Sequence, residues 1–384
     1  MSARPLRVLF VSPWFHPAVR YGGPIYAQWN LARALGERGV EVRVLSTDAD
    51  GEHRLNVLRD REHVRAANVR VTYVARLRDG AAFASPFPRR LSERVAWADV
   101  VHLGSVYDAT TFPTLLAVRG AQKPLVWTPF GAHYYAERLP GVRRPHLKRA
   151  WDSLARALLD RSRTTMIAAS QMEAEATRAR MPGVSIEVVR EPVVLPTLEA
   201  RPALEGPLRV LFLARLHPIK RLERLLDALR DHTATLTIAG AGEPSYVASL
   251  RARASPLGER ARFVGHIVEG DKAALFASHD LLVLPSHRES YGIVVGEALA
   301  HGVPALVVRP TAWERLAEEG AGLVVGPSEL AATLRTLDRA SLAALGAQAR
   351  RYAERTLSID HAAERMIGIY EGMHGPGRAS VGRR

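Results

Sequence analysis

The stretch 281–306, LLVLPSHRESYGIVVGEALAHGVPAL, constrains this chain more than any other. Its apolar run Leu281 to Leu284 reads as a short buried strand stopped by Pro285, and beyond a polar turn an amphipathic segment opens at Gly292. The order is strand, loop, helix. In a parallel α/β sheet such a unit carries loop side chains and the free N–H groups of a helix start to the carboxyl edge, where ligands bind.

Glu289 precedes the helix and Glu297 follows eight residues later. If the whole interval were helical, the two would be separated by a rise of about 12 Å and would lie within about 80° of one face. That spacing is too long for a glycosidase pair, whose carboxyl groups flank one bond at roughly 5–9.5 Å. Two acceptors along one face suit a ligand with two sets of hydroxyl groups, and the amides near Ser290, Tyr291 and Gly292 suit an anionic group between them. A nucleotide sugar has that layout. Either glutamate alone reads as well as an N-terminal helix charge or a solvated residue.

As a whole, Pro285, Ser286, Glu289, Tyr291, Gly292, Glu297, Ala298, Ala300, Gly302 and Pro304 match P-S-x-x-E-x-[FY]-G followed by E-A-x-A-x-G-x-P. The pattern resembles the retaining glycosyltransferases of family 4, of GT-B fold. The resemblance implies that Glu297 binds the donor ribose hydroxyls, while Glu289 and the backbone at Tyr291 and Gly292 hold the donor sugar.

Nearer the N-terminus, an apolar run at Arg7–Val11, a loop containing Gly22 and Gly23, Pro24, an amphipathic segment over 25–38 and a strand at 42–46 make a βαβ unit. Paired glycines let a backbone approach a phosphate, or simply make a turn. The resemblance places this loop by the donor diphosphate and the acceptor. Asp48 and Asp50 form a D-x-D, which we read as a turn and not a metal site. Apolar runs at 71–74, 100–103, 125–127, 165–168 and 186–189 continue the rhythm of a doubly wound parallel sheet. In the segment TPFGAH, Phe130 stands where many members of the resembled family carry a histidine near the C6 hydroxyl of the donor sugar. Phe130 and His133 are the candidates for donor-sugar or acceptor contact: Phe130 would pack on a sugar lacking a 6-hydroxyl, and His133 reads as a surface-loop residue.

The second half restarts after a proline-bearing connector. Following a strand at 208–213, Arg215, Leu216 and Lys220 match G-R-L-x-x-x-K-G, with Ala214 and Arg221 in place of the glycines. Two cations at a strand-to-helix junction can clamp a diphosphate, Arg as a fork and Lys as a point charge. Gly240 and Gly242 form another strand-end turn, among the loops where the resembled family rests its nucleotide base. The resemblance thus implies Arg215, Lys220 and Glu289 as catalytic, and Gly22, Gly23, Gly240, Gly242, Ser290, Tyr291, Gly292 and Glu297 as donor-binding.

With no cysteine, disulfides and thiolate metal sites are excluded. The N-terminal apolar run is too short for a signal peptide, and no stretch approaches the roughly 18 apolar residues of a membrane span. The net charge of +14 favours anions, yet no nucleic-acid-binding signature accompanies it. Residues 143–163 combine Trp151, Leu154 and Leu158 at helical spacing with seven basic residues and two acidic ones. Such a helix lies on an anionic bilayer or turns its apolar face to the core. The expected location is cytoplasmic, with peripheral contact at the inner face of the membrane.

The expected fold is therefore α/β, GT-B: two Rossmann-like doubly wound domains facing a central cleft. The expected parts are an acceptor domain (1–190), a linker (191–207), a donor domain (208–355), a helix crossing back to the first domain (356–373) and a disordered basic tail (374–384). The expected reaction is retaining, metal-independent transfer of a hexosyl, deoxyhexosyl or pentosyl group from a nucleotide sugar to a hydroxyl acceptor, with no cofactor and no nucleic-acid partner. A GT-B nucleotide-sugar epimerase and a catalytically silent nucleotide-binding protein are the alternatives.

Overall fold

The computed structural model describes residues 4–78, 81–84, 87–138, 144–197 and 205–374. The expected basic tail after His374, part of the connector and Arg143 lie outside the described residues. The chain divides into two compact units, one running to Pro192 and resuming at Ile359, the other Val193–Ser358.

In the first unit eight strands form one sheet, in the order Ser185–Val188, Thr164–Ala168, Leu125–Thr128, Val100–Gly104, Arg7–Val11, Glu41–Thr47, Val69–Val74 and Glu62–Ala66. All neighbours pair in parallel except the last, an antiparallel edge strand for which the apolar runs carried no signal. Val100–Gly104 and Thr164–Ala168 are buried at every position, because helices cover both faces. Alternate side chains serve opposite faces. Val8 and Phe10 join the core under the helices Gly23–Glu37 and Ile359–His374, whereas Leu9 and Val11 join Leu91, Leu115 and Ala155 on the other side. The strand order reverses between Arg7–Val11 and Val100–Gly104, which makes the loops after them the switch point of this unit.

The second unit has six parallel strands, in the order Ala261–Gly265, Thr235–Ala239, Arg209–Leu213, Leu281–Leu284, Ala305–Val308 and Gly322–Val325. Its order reverses between Arg209–Leu213 and Leu281–Leu284. The helix expected to be amphipathic from Gly292 is short, Ile293–Ala300, and buries Val295, Gly296, Ala298, Leu299 and Ala300. It is nearly apolar all round and packs on the helix Arg339–Thr356 and the strands Leu281–Leu284 and Ala305–Val308, while Ile293, Val294 and Glu297 stay half-buried. The segment from Glu289 to Gly292 is loop, so the helical rise computed over the whole interval does not apply.

Candidate functional site

Loops leave the two strands that flank the second unit's switch point, and they are tied together. The His287 N–H donates to the Ile219 carbonyl at 2.7 Å. Lys220 Nζ meets Glu289 Oε2 in an ion pair, and Ser286 Oγ donates to the same oxygen at 3.2 Å. The Glu289 side chain is only 7% exposed, and a carboxyl group so far withdrawn from water needs these donors. The two motif segments, distant in the chain, thus share one constellation.

Local chemistry shapes both loops. Pro218 opens a short 3-10 turn, and His217 Nδ1 accepts from the Ile219 N–H at 3.2 Å. Arg221 sits at φ 52°, so this chain takes without a glycine the left-handed conformation that glycine favours. Gly292 cannot be replaced in the same way. It has φ +78°, and a Cβ there would lie 2.8 Å from Glu289 Cγ. Tyr291 is buried, its ring 5.1 Å from that of Trp313, whose indole N–H donates to the Tyr291 carbonyl at 2.5 Å. Trp313 fixes the backbone just before the helix start. Ser290 lies between Glu289 and Tyr291 on the same loop.

Arg215 is exposed and has no ion-pair partner among the described residues. Burial, and after it the charges of Arg215 and Lys220, hold the His217 imidazole below its usual pKa, a sign of the positive potential at this loop. Glu297, on the helix Ile293–Ala300, pairs with Lys272 Nζ at 2.8 Å. Sequence reasoning passed over Lys272, which opens the helix Lys272–Ala277 and belongs to no motif. Gly240 and Gly242 have a packing reason of their own. A Cβ at Gly240 would lie 1.9 Å from the Ala214 carbonyl oxygen and one at Gly242 2.1 Å from that of Leu216. These glycines let the loop after Ala239 press on the loop carrying Arg215.

In the first unit, Gly22 at φ +76° precedes the helix Gly23–Glu37, with open space where a Cβ would be. Phe130 has φ +49° and walls a small cavity. The buried carboxylate of Glu173, unnoticed in the sequence, holds the next turn by accepting from the Gly131 N–H at 2.5 Å and the Ala169 N–H at 2.8 Å. His133 is not a surface-loop residue. It is fully buried in the helix Ala132–Arg138, 3.8 Å from Asp152, and burial with the Arg180 charge pushes its pKa down to about 3. A side chain so enclosed does not reach a ligand, so His133 leaves the candidate set. The Asp48 carboxylate is likewise buried and is occupied by Arg59 at 2.7 Å and by the Arg76 N–H at 2.9 Å.

Residues 22–195 match the family model described as Glycosyltransferase Family 4, and residues 197–355 match that described as Glycosyl transferases group 1. The chain is 28% identical to a glycogen synthase of Mycobacterium tuberculosis over 323 residues, 78% of this chain and 77% of that protein. Sucrose-phosphate synthase from Thermosynechococcus elongatus superposes with a TM-score of 0.74 at 17% identity, covering 96% of this chain and 99% of that one. Anabaena HepE, solved in complex with UDP and glucose, gives 0.72 at 19% identity, covering 95% and 99%.

Proposed function

The chain belongs to the glycosyltransferases of family 4 and has the GT-B fold, and from that premise we propose that it is a retaining, metal-independent enzyme acting on a hydroxyl acceptor. It is a glycosyltransferase with a nucleotide-sugar donor. The observation that carries the finer reading is the constellation of Lys220, Glu289 and Arg215 at the second unit's switch point.

Bond cleavage to the departing nucleotide builds negative charge on its diphosphate, and cations fixed beforehand accelerate the step because that charge is greatest in the transition state. Arg215 offers a guanidinium fork with no carboxylate paired to it among the described residues, and Lys220 a point charge aimed by Glu289. These two charges support a reading in which no metal is needed. Glu289, engaged by Lys220 and Ser286, is committed to holding and is not a free nucleophile. That supports retention by attack from the leaving-group face, with a departing phosphate oxygen taking the acceptor proton. Glu297 holds the ribose.

The test is a thermal-shift titration in EDTA with UDP, GDP, ADP and dTDP and their common sugars, on wild type, Glu297→Ala and Lys220→Ala. A ligand that prefers the folded state raises the melting temperature with its concentration over Kd. One nucleotide series should stabilise the wild type and neither variant; no response to any of them would overturn the reading. Donor conversion without acceptor would mark an epimerase.

Peripheral contact with an anionic bilayer has support in one surface. The helix Pro145–Leu158 exposes half of Leu147 and half of Leu154, and Leu116 on the helix Thr111–Gly120, which packs beside it, is 56% exposed. Exposed Arg149 lies on the first of these helices with Arg144 just before it, exposed Arg119 lies on the second, and exposed Arg161 and Arg163 stand in the turn after the first. Among the described residues no helix is long and apolar enough to cross a membrane. Co-sedimentation with acidic vesicles at low salt, lost in Leu147→Ser/Leu154→Ser, would support this contact; equal sedimentation of both proteins would exclude it.

A further inference from the structure

At the switch point of the first unit lies a cavity of about 50 Å³, walled by Leu31, Phe130 and Met366 and edged by Gln28, His102 and Thr128, with Arg190 and Glu191, each engaged by partners of its own, also in its lining. Its polar groups are fixed. Gln28 is 3% exposed; its amide N–H donates to the Pro24 carbonyl at 3.1 Å, which sets the orientation of the group and leaves Oε1 buried with no donor. Such an orphan acceptor is expensive unless something supplies a hydrogen.

The opposite polarity comes from Thr128. His102 is fully buried, and burial pushes its pKa down to about 3, so its ring is neutral, with one donor and one acceptor. Nδ1 lies 2.7 Å from the Tyr370 hydroxyl and Nε2 2.7 Å from Thr128 Oγ1. Tyr370 is fully buried, and as an acceptor it would strand its own O–H. Tyr370 therefore donates to Nδ1, Nε2–H donates to Thr128, and the Thr128 hydrogen is left for the cavity. Gly104 keeps the space beside Gln28 open, since a Cβ there would lie 2.9 Å from Gln28 Oε1 and 3.2 Å from Phe130 Cε2.

A water needs about 10–15 Å³ of such space, so the cavity takes a few atoms and not a sugar ring. The Thr128 donor and the orphan Gln28 acceptor, set among largely apolar walls, describe the complement of a CH2–OH group. We propose that this cavity is the subsite for a single primary-alcohol arm of the acceptor, its O–H donating to Gln28 Oε1 and its oxygen accepting from Thr128. The word acceptor rests on the transferase reading; the cavity's chemistry does not.

The probes are methyl α-glucoside, α-galactoside and α-mannoside, each against its 6-deoxy counterpart, titrated by ligand-observed NMR. For at least one pair the wild type should favour the hydroxymethyl compound by about tenfold, the order expected for a well-made hydrogen bond. Gln28→Met and Thr128→Val should each bring that ratio towards one, and Gly104→Ala should weaken both members. Should Gln28→Met unfold, Thr128→Val reads the same ratio. Equal affinities in every wild-type pair, as for a cavity that holds water only, or a ratio kept in the variants, would overturn the proposal. The nucleotide response is measured on the same proteins: if it persists while the ratio is absent, this inference fails and the donor reading stands.

Discussion

Lys220 and Glu289 form an ion pair across 69 residues of chain, and the pair joins the loops on either side of the second unit's switch point. Each side chain is mostly withdrawn from water, so neither is well accommodated without the other.

Lys220→Met should therefore destabilise the protein by about 2–3 kcal/mol, somewhat below the range for a fully buried pair because the lysine keeps some solvent. Urea unfolding of Lys220→Met, Glu289→Gln and the double variant should give a coupling of about 1–3 kcal/mol. Additive losses would mean that the pair contributes nothing as a pair. Transfer should fall about 100-fold or more in Lys220→Met, as for loss of a preorganised charge.

Lys272 steers Glu297 by their 2.8 Å contact. Glu297→Ala should weaken nucleotide binding by roughly 10–100-fold, as for loss of a charged hydrogen bond. Lys272→Ala should weaken it in the same direction but less. Isothermal titration with the nucleotide found in the thermal screen checks both, and a Lys272→Ala protein with wild-type affinity would limit the lysine to surface charge.

Glycines at the site differ in what they tolerate. Gly240→Ala and Gly242→Ala push a Cβ into backbone carbonyls and should cost about 3 kcal/mol or more, whereas Gly22→Ala meets no atom and should cost only about 1 kcal/mol of backbone strain. Denaturant midpoints of the three variants give the order directly.

His102 and His133 are buried neutral, with pKa values pushed down to about 3. The unfolded chain binds their protons near pH 6.5, so stability is unaffected above that value and is lost as pH falls from there towards 3. By pH 5 the loss should be about 2 kcal/mol for each histidine. Urea unfolding from pH 7.5 to pH 5 should show this slope, reduced by about half of it in His133→Phe; a flat profile would mean that both rings are protonated in the folded protein.

How much of this was legible beforehand depended on range along the chain. The strand and loop around Glu289, and Arg215 with Lys220 after Leu213, stand in short contiguous runs, where spacing alone places them at a sheet edge. Lys272 is paired through the tertiary fold and had no local mark. His133 looked like a loop residue because TPFGAH ends a strand, yet Ala132 already begins a helix, and Asp152, far along the chain, helps enclose it. The helix after Gly292 differs in the opposite sense: Glu297 is its one charge, and Val295, Gly296, Ala298, Leu299 and Ala300 are buried. Gln28 reads as a polar residue on a helix face, and only the cavity reveals its bare oxygen.

The bond from Trp313 to the Tyr291 carbonyl also gives the protein an optical handle. An indole whose N–H ends on the loop beside Glu289, and which is itself 1% exposed, emits from a dry environment as long as that loop keeps its place. Any rearrangement that pulls the Tyr291 carbonyl away must change the polarity around that ring, so in a variant that keeps Trp313 and replaces the other five tryptophans a shift in emission would report movement of this loop without an added label.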